Sequence, residues 1–167
     1  KDFMTDENVV TLYVPENAQF QNATLNSDLG NILLNHVCFE SGTVSSGDGD
    51  IFIKNSTLKE VAVSASLGDV KTYDSKIKTC NFVLSDGDFT AKNNEFTGET
   101  LINDDLGNIE VQGSKKQWSS LGVDASTDLG DIEVSETLEG TLKEKDSDES
   151  EYQRSGKNGK VKLQVFI

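Results

Sequence analysis

The sequence predicts an all-β protein: a single right-handed parallel β-solenoid (β-helix) of about seven coils with a repeat of about 19 residues. Three observations support this fold class. A short glycine-centred motif recurs at nearly constant spacing, and apolar and polar residues alternate after each glycine. The 167 residues also include 14 glycines against one proline, a balance typical of many tight turns between strands.

The repeated motif reads Ser27-Asp-Leu-Gly-Asn-Ile32 in its first copy and Thr127-Asp-Leu-Gly-Asp-Ile132 in a late copy. Successive anchoring glycines are separated by 19, 19, 19, 20, 23 and 29 residues. Three equal spacings followed by longer ones indicate a single repeat whose later copies carry insertions. The anchoring glycines are Gly30, Gly49, Gly68, Gly87, Gly107, Gly130 and a degenerate Gly159.

Residues two and four positions after each glycine are mostly apolar, and the residues between them are mostly polar. This period of two predicts half-buried strands. Because one coil cannot bury its own apolar face, coils must stack, with equivalent residues about 4.8 Å apart. The handedness of parallel crossovers predicts a right-handed coil. The inward columns are expected to contain Ile32, Ile51, Val70, Phe89, Ile109 and Ile132 after the glycine, and Leu25, Val44, Val63, Phe82 and Ile102 before it.

The whole chain, residues 1–167, is expected to form one solenoid domain. An alternating segment precedes the repeats and ends at Pro15, and such a strand could cover the open edge of the first coil. A late insertion is almost entirely polar, and the last residues alternate again. The predicted segments are a capping strand at 9–22, regular coils over 23–138, an acidic polar loop at 139–158 and a closing strand at 159–167.

The net charge of −14 comes from 29 acidic and 15 basic residues. Such a surface repels a phosphate backbone, and no basic stripe with aromatic residues offsets that repulsion, so nucleic acid is not an expected partner. Direct binding to anionic lipid is disfavoured for the same reason. Cys38 and Cys80 lack the spacing of a structural zinc site, and both are expected to be free thiols.

Asp50, Asp69 and Asp88 each follow an anchoring glycine directly. If the coils stack in register, these carboxylates lie about 5 Å apart on successive coils. Clustered carboxylate oxygens attract Ca²⁺, which makes the three aspartates candidate metal ligands; no other cofactor is indicated. The alternative is that each side chain caps a backbone N–H of its own turn without a metal. Capping is the preferred interpretation, because the nine-residue motif of calcium β-rolls is absent.

Two large apolar residues interrupt the polar pattern at an outward position. Leu33 and Phe52 each lie three residues after an anchoring glycine, and Tyr73 lies two positions further along in the next copy. An exposed apolar group of this kind is typical of a partner-binding surface. Trp118, in a later insertion, is assigned to the same predicted interaction surface. The alternative is that the N-terminal segment around Phe3 covers Leu33 and Phe52.

Paired carboxylates on a β-helix can also cleave a glycosidic bond. With 29 acidic residues, some pair lies at a suitable separation in any fold. The residues that would bind and orient a sugar are scarce, since the chain has one arginine, one histidine and one tryptophan. No catalytic residue is therefore assigned, and an enzyme is not expected.

The lead-in Leu12-Tyr-Val-Pro-Glu-Asn-Ala18 is followed by Ala23-Thr-Leu-Asn-Ser-Asp-Leu-Gly-Asn-Ile32 and by recurring Ser-x-Gly-Asp-Ile units. Over residues 9–167 this pattern resembles a bacterial family of β-strand-repeat domains that are described as adhesins. The resemblance implies a β-solenoid that is extracytoplasmic or tethered to the membrane by a segment outside this chain. It supplies no catalytic, cofactor-binding or metal-binding residues.

The function expected from these features is a non-enzymatic, extracytoplasmic or cell-surface module with a structural or adhesin-like interaction role. The expected partner is a protein or a glycan at the cell surface. Two alternatives stay open: a carbohydrate-active β-helix enzyme, and a solenoid that calcium stabilises and that associates with itself.

Overall fold

The computed structural model describes residues 12–114, 121–127, 141–144, 150–154 and 159–165. Within these ranges the regular structure is entirely β. The strands are β1 (Gln19–Phe20), β2 (Ala23–Leu29), β3 (Ile32–Asn35), β4 (Cys38–Phe39), β5 (Gly42–Asp48), β6 (Ile51–Lys54), β7 (Thr57–Lys59), β8 (Val61–Leu67), β9 (Val70–Tyr73), β10 (Lys76–Lys78), β11 (Asn81–Asp86), β12 (Phe89–Lys92), β13 (Glu95–Asp104), β14 (Ile109–Gln112), β15 (Leu121–Thr127), β16 (Thr141–Glu144), β17 (Ser150–Arg154) and β18 (Gly159–Val165).

Each regular coil contributes one strand to each of three parallel sheets. Sheet A contains β1, β4, β7, β10 and the start of β13; sheet B contains β2, β5, β8, β11 and the end of β13. Sheet C contains β3, β6, β9, β12 and β14. Equivalent residues pair from coil to coil, as Ile51 does with Ile32 on one side and with Val70 on the other. This register confirms the parallel β-solenoid and its repeat of about 19 residues.

The coil count differs from the prediction. Sheet C has five strands, so the described residues form about five coils rather than about seven. The expected coil at Gly130 lies outside the described residues. Gly159 is not an anchoring glycine, because it pairs with Gly98 and Leu121 at the start of sheet B strands. A glycine before an alternating segment was therefore an insufficient signal for a further coil.

Side chains from all three sheets meet in one apolar core. Ile51, Val70 and Phe89 are fully buried, as predicted, whereas Ile32 and Ile109 are half-buried because they lie on the first and last strands of sheet C. Ile132 lies outside the described residues. The rings of Phe82 and Phe89 meet edge to face, with centroids 5.0 Å apart. The ladder of equivalent apolar residues thus supplies the buried area that a single coil lacks.

The chain turns from sheet B to sheet C at the anchoring glycines, where the backbone has positive φ. Gly68, for example, has φ +134°, a conformation that residues with a Cβ rarely adopt. At the other two corners, one residue in most turns also has positive φ, which asparagine tolerates better than most side chains. The corner between sheets C and A contains His36, Asn55, Asp74 and Asn93, and the corner between sheets A and B contains Glu60, Thr79 and Gly98.

The predicted capping strand at 9–22 begins in residues outside the described part of the chain. Residues 12–14 are not in a strand, and the side chains of Leu12 and Tyr13 are 76% and 90% exposed. After Pro15 the chain turns, with a hydrogen bond from the Ala18 N–H to the Pro15 carbonyl. The strand of this segment is β1, which pairs in parallel with β4 as the first strand of sheet A.

The strand predicted at 159–167 is present as β18 over Gly159–Val165, but it is not the last strand of its sheet. It lies between β13 and β15 and pairs in parallel with both. The later part of the chain therefore returns into sheet B instead of continuing the stack in sequence order. The repeat spacing alone could not reveal this insertion, because β18 has the same alternating pattern as a strand at the end of the sheet.

The segment predicted as an acidic polar loop at 139–158 contains two strands. β16 and β17 pair antiparallel, and β17 also pairs antiparallel with β15. The loop prediction is wrong for these strands, because an open sheet edge can pair its backbone groups with a segment of any polarity. Antiparallel pairing also needs only a short connection between strands. Sheet B therefore ends in an antiparallel hairpin beyond the parallel coils.

Substituting alanine at two anchoring glycines should separate backbone strain from coil stacking. A Cβ at Gly68 would lie 2.6 Å from the carbonyl oxygen of Gly49 in the preceding coil. A Cβ at Gly30, in the first coil, would meet nothing within 4 Å. We expect Gly30→Ala to lose about 1–3 kcal/mol from strain alone and Gly68→Ala to lose roughly 1–3 kcal/mol more from the clash. Urea unfolding of both variants measures the difference, and equal losses would contradict close stacking at this corner.

Candidate interaction surface

The outer face of sheet C is the part of the described surface that collects the predicted interaction residues. Each of its strands has four residues, and the second and fourth point away from the core, as the period of two requires. Parallel pairing with aligned registers stacks these outward residues in two columns. The first column contains Leu33, Phe52, Lys71, Thr90 and Glu110, and the second contains Asn35, Lys54, Tyr73, Lys92 and Gln112.

The structure brings three of the four predicted interaction residues together. Leu33 pairs with Phe52 on the neighbouring strand, and Leu33 is 64% exposed. Tyr73 lies on the next strand in the adjoining column, where it pairs with Lys54. Trp118 lies outside the described residues, so its assignment to this surface stays a prediction. Within the described residues, Leu33, Phe52 and Tyr73 lie on three successive strands of the same face.

Lysine side chains lie among these rings, which the sequence pattern alone did not reveal. The Lys54 ammonium is 5.9 Å from the centroid of Phe52 and 5.6 Å from that of Tyr73. The Lys71 ammonium is 5.6 Å from the centroid of Phe52. Such distances are within the range of cation–π attraction. The lysines therefore cover part of the apolar group and hold positive charge over it.

The three lysines of this face differ in their acidic partners. Lys71 Nζ lies 2.6 Å from Asp69 Oδ2, and Lys92 Nζ lies 3.4 Å from Glu110 Oε2. Among the described residues, no carboxylate oxygen lies within ion-pair distance of Lys54. Lys54 is thus the cation of this face that stays available to a negatively charged or hydrogen-bond-accepting group of a partner.

The predicted metal candidates Asp50, Asp69 and Asp88 form a hydrogen-bonded ladder along the edge of the same face. The Asp69 N–H donates to Asp50 Oδ1, and the Asp88 N–H donates to Asp69 Oδ1, both at 2.9 Å. Asn31 and Asn108 continue this ladder at its two ends. Each side chain therefore caps the turn of the next coil, whereas the sequence pattern predicted that it would cap its own turn.

Backbone donors and a lysine reduce the repulsion between stacked carboxylates. The Asp88 N–H and then Lys71 lower the pKa of Asp69, and Asp69 in turn raises the pKa of Lys71. Lys71 Nζ also lies 3.8 Å from Asp50 Oδ2. No group of three or more His, Cys, Asp or Glu side chains in the described ranges is placed to hold a metal ion. Calcium binding by the ladder stays a prediction.

A second polar ladder, which the sequence pattern did not lead us to predict, lies inside the solenoid. The Val37 N–H donates to Ser56 Oγ, the Ser56 N–H to Ser75 Oγ, and the Ser75 N–H to Asn94 Oδ1. These side chains are buried. The available signal was a small polar residue seven positions after an anchoring glycine in three successive copies. This ladder satisfies backbone donors at the corner where the chain leaves sheet C.

The profile of the Toastrack DUF4097 family matches residues 4–167, nearly the whole chain. The chain belongs to this family. No curated protein and no solved structure matches the chain. In the described part of this Toastrack domain, no helix has the length and hydrophobicity needed to cross a membrane.

Replacing Asp69 should show whether the ladder depends on its hydrogen bonds or on its charge. Asp69→Ala leaves the Asp88 N–H without its acceptor, and we expect a loss of about 1–3 kcal/mol at pH 7. Asp69→Asn keeps an acceptor oxygen and should lose less. Because the folded-state pKa of Asp69 is lowered, its ionised form stabilises the fold above pH ~3.9, and that contribution disappears as pH falls through the folded pKa. The difference between wild type and Asp69→Asn should therefore shrink in acid.

Urea unfolding between pH 2.5 and 7 measures these differences, and Asp28→Ala is a matched control because Asp28 is exposed and carries the same charge. The control should change the free energy of unfolding by less than ~0.5 kcal/mol. Calcium at millimolar concentration should add no more stability than sodium chloride of equal ionic strength. A larger calcium effect that Asp69→Asn removes would identify the ladder as a metal site.

Proposed function

We propose that this Toastrack domain is a non-enzymatic, adhesin-like interaction module that works outside the cytoplasmic membrane of a bacterium. In this proposal the outer face of sheet C binds a protein or a glycan at the cell surface. The observation that carries the proposal is the group of the exposed Leu33 and the half-buried Phe52 and Tyr73, with the Lys54 ammonium close to both rings. The extracytoplasmic location rests on the resemblance of the repeats to adhesin-like domains.

The chemistry of this face suits a binding surface. Aromatic rings offer flat apolar area to a side chain or to the C–H face of a sugar, and they lose little conformational entropy on binding. Lys54 adds a donor that no carboxylate among the described residues engages as an ion pair. Phe52 and Tyr73 lie on β6 and β9, in the regular part of the stack, so the partner meets a prearranged surface.

The ladder carboxylates support a structural role for the acidic edge of this face. The Oδ1 atoms of Asp50, Asp69 and Asp88 each accept a backbone N–H from the next coil. A general acid or base must exchange protons with a substrate, and an oxygen committed to a backbone donor is poorly placed for that exchange. We therefore do not assign these three carboxylates to a pair that cleaves a glycosidic bond.

The proposal predicts that binding depends on the aromatic–lysine group. Purified domain is tested by surface plasmon resonance on a panel of polysaccharides and by flow cytometry on intact bacterial cells. For whichever probe binds wild type, we expect Phe52→Ala, Tyr73→Ala and Lys54→Glu each to weaken binding about tenfold or more, as anchor residues at a small interface do. Lys78→Glu is the matched control, because Lys78 is an exposed lysine on sheet A.

Two results would contradict the proposal. One is a binding partner whose affinity is unchanged in all three sheet C variants but lost in Lys78→Glu. The other is turnover of a polysaccharide that a single carboxylate substitution abolishes. Location is tested separately, by fractionation of cells that express the full gene product; recovery of the domain in the cytoplasm would contradict the extracytoplasmic assignment.

A further inference from the structure

Polar atoms without hydrogen-bond partners are concentrated on one strand of the structure. Among the described residues, the water-shielded side-chain atoms that lack a partner are Ser46 Oγ, Thr100 Oγ1, Asn103 Oδ1 and both carboxylate oxygens of Asp104. All but Ser46 belong to β13, which pairs with β18 over Gly98–Asp104. The junction of these two strands is called here the β13–β18 seam. It combines unsatisfied polar groups with the point where the stack departs from sequence order.

Among these groups, the carboxyl group of Asp104 is the most costly to bury when it is ionised. Its residue is fully buried, and its position on β13 is equivalent to that of Leu84 on β11. A carboxylate thus replaces an apolar side chain at the end of the core of sheet B. An ionised carboxyl without hydrogen bonds is strongly disfavoured in such a position, whereas the neutral acid is far less so. The protonation state of Asp104 therefore determines how well this end of the core packs.

The charges around Asp104 act in the same direction. Burial, together with the neighbouring carboxylates of Asp88, Asp105 and Asp86, raises the pKa of Asp104 to about 6. The backbone N–H of Leu106 lowers the pKa of Asp104, although its distance and angle do not make it a hydrogen bond. On the β18 side, Asp104 pairs in register with Val165, and the preceding pair is Asn103 with Gln164; neither of these two β18 residues is ionisable.

Asp104 lies at a point where β13 and β18 can separate locally. Asp104 is the last residue of β13, and its pair with Val165 is the last pair of the β13–β18 register. Strand pairs open from their ends at a much lower free energy than a whole coil needs. Opening of this last β13–β18 pair would let water reach the carboxylate, while the coils that precede β13 keep their pairing.

We propose that the β13–β18 seam is a proton-dependent latch, closed when Asp104 is neutral and frayed from its Asp104–Val165 end when Asp104 is ionised. This device is independent of the proposed binding role of sheet C. Because the folded-state pKa is raised, the closed seam is fully favoured below the unfolded pKa of about 3.9, and this advantage is lost as pH rises through about 6. The domain would thus hold its C-terminal strand more tightly in mildly acidic surroundings than at neutral pH.

Hydrogen exchange of the intact chain tests the latch. After correction for the intrinsic pH dependence of exchange, we expect the protection of the Gln164 and Val165 amides to fall about tenfold between pH 5 and pH 8. The amides of β6 and β9 should keep their protection over the same range. In Asp104→Asn, which is neutral at every pH, protection of Gln164 and Val165 should not change with pH. Asp28→Asn, which removes an exposed charge from the first coil, should behave like wild type.

A second variant tests the electrostatic part separately. Asp88→Asn keeps an oxygen acceptor for Asn108 but removes the charge that most strongly opposes ionisation of Asp104. The midpoint of the protection change should therefore move to lower pH. The same pH dependence in Asp104→Asn as in wild type would overturn the latch, and so would a parallel loss of protection in β6 and β9, since that would be global unfolding.

Discussion

Register-aligned stacking of equivalent residues is the constraint on which the rest of the structure depends. Every regular coil places its backbone directly on the preceding one, so residues at equivalent positions lie in one column along the rod. Apolar positions become a continuous core, and corner positions become columns in which most residues share a positive φ. This constraint requires glycine at the anchoring positions for two reasons. They provide positive φ, and they also leave room for the carbonyl of the coil below, which a Cβ at Gly49, Gly68 or Gly87 would approach to van der Waals overlap.

The same repetition makes charge difficult to place, because an ionised side chain in one coil meets its own equivalent in the next. Asp50, Asp69 and Asp88 resolve this by giving each carboxylate a backbone donor from the following coil. Lys71 adds positive charge beside two of them. The ladder is therefore held by directional hydrogen bonds. Their backbone N–H donors would be left unsatisfied in a purely apolar corner. The stacked aspartates thus link the turns of successive coils by hydrogen bonds.

Sequence periodicity predicted the repeat, the inward columns, the glycine corner and the group of Leu33, Phe52 and Tyr73, because each depends on spacing alone. It could not predict which cations cover that group, since Lys54 and Lys71 reach the rings through side-chain conformations that spacing does not determine. It also failed after coil five. The alternating pattern of β18 fits any free parallel edge of sheet B, and polarity does not prevent β16 and β17 from pairing. A segment can pair with any sheet edge that has unpaired backbone groups, and the spacing of the repeat does not show which edges are unpaired.

The strand that departs from the repeat, β13, is therefore the place where strand pairing can depend on protonation. In coils two to four the inward positions of sheet B are occupied mostly by Val, Ala, Phe and Leu, and equivalent residues support one another from both sides. On β13 the corresponding positions include Thr100 and Asp104. The register there gains a residue, since Asn81 pairs with Leu101 whereas Lys78 pairs with Thr97.

A buried carboxyl could not be repeated in every coil, because the stacked charges would exclude one another from an apolar core. At the last regular coil it has one apolar neighbour in register on β11 and the returning strand β18 on the other side. An ionisable group can therefore control this junction while the coils that carry the outer face of sheet C keep their packing.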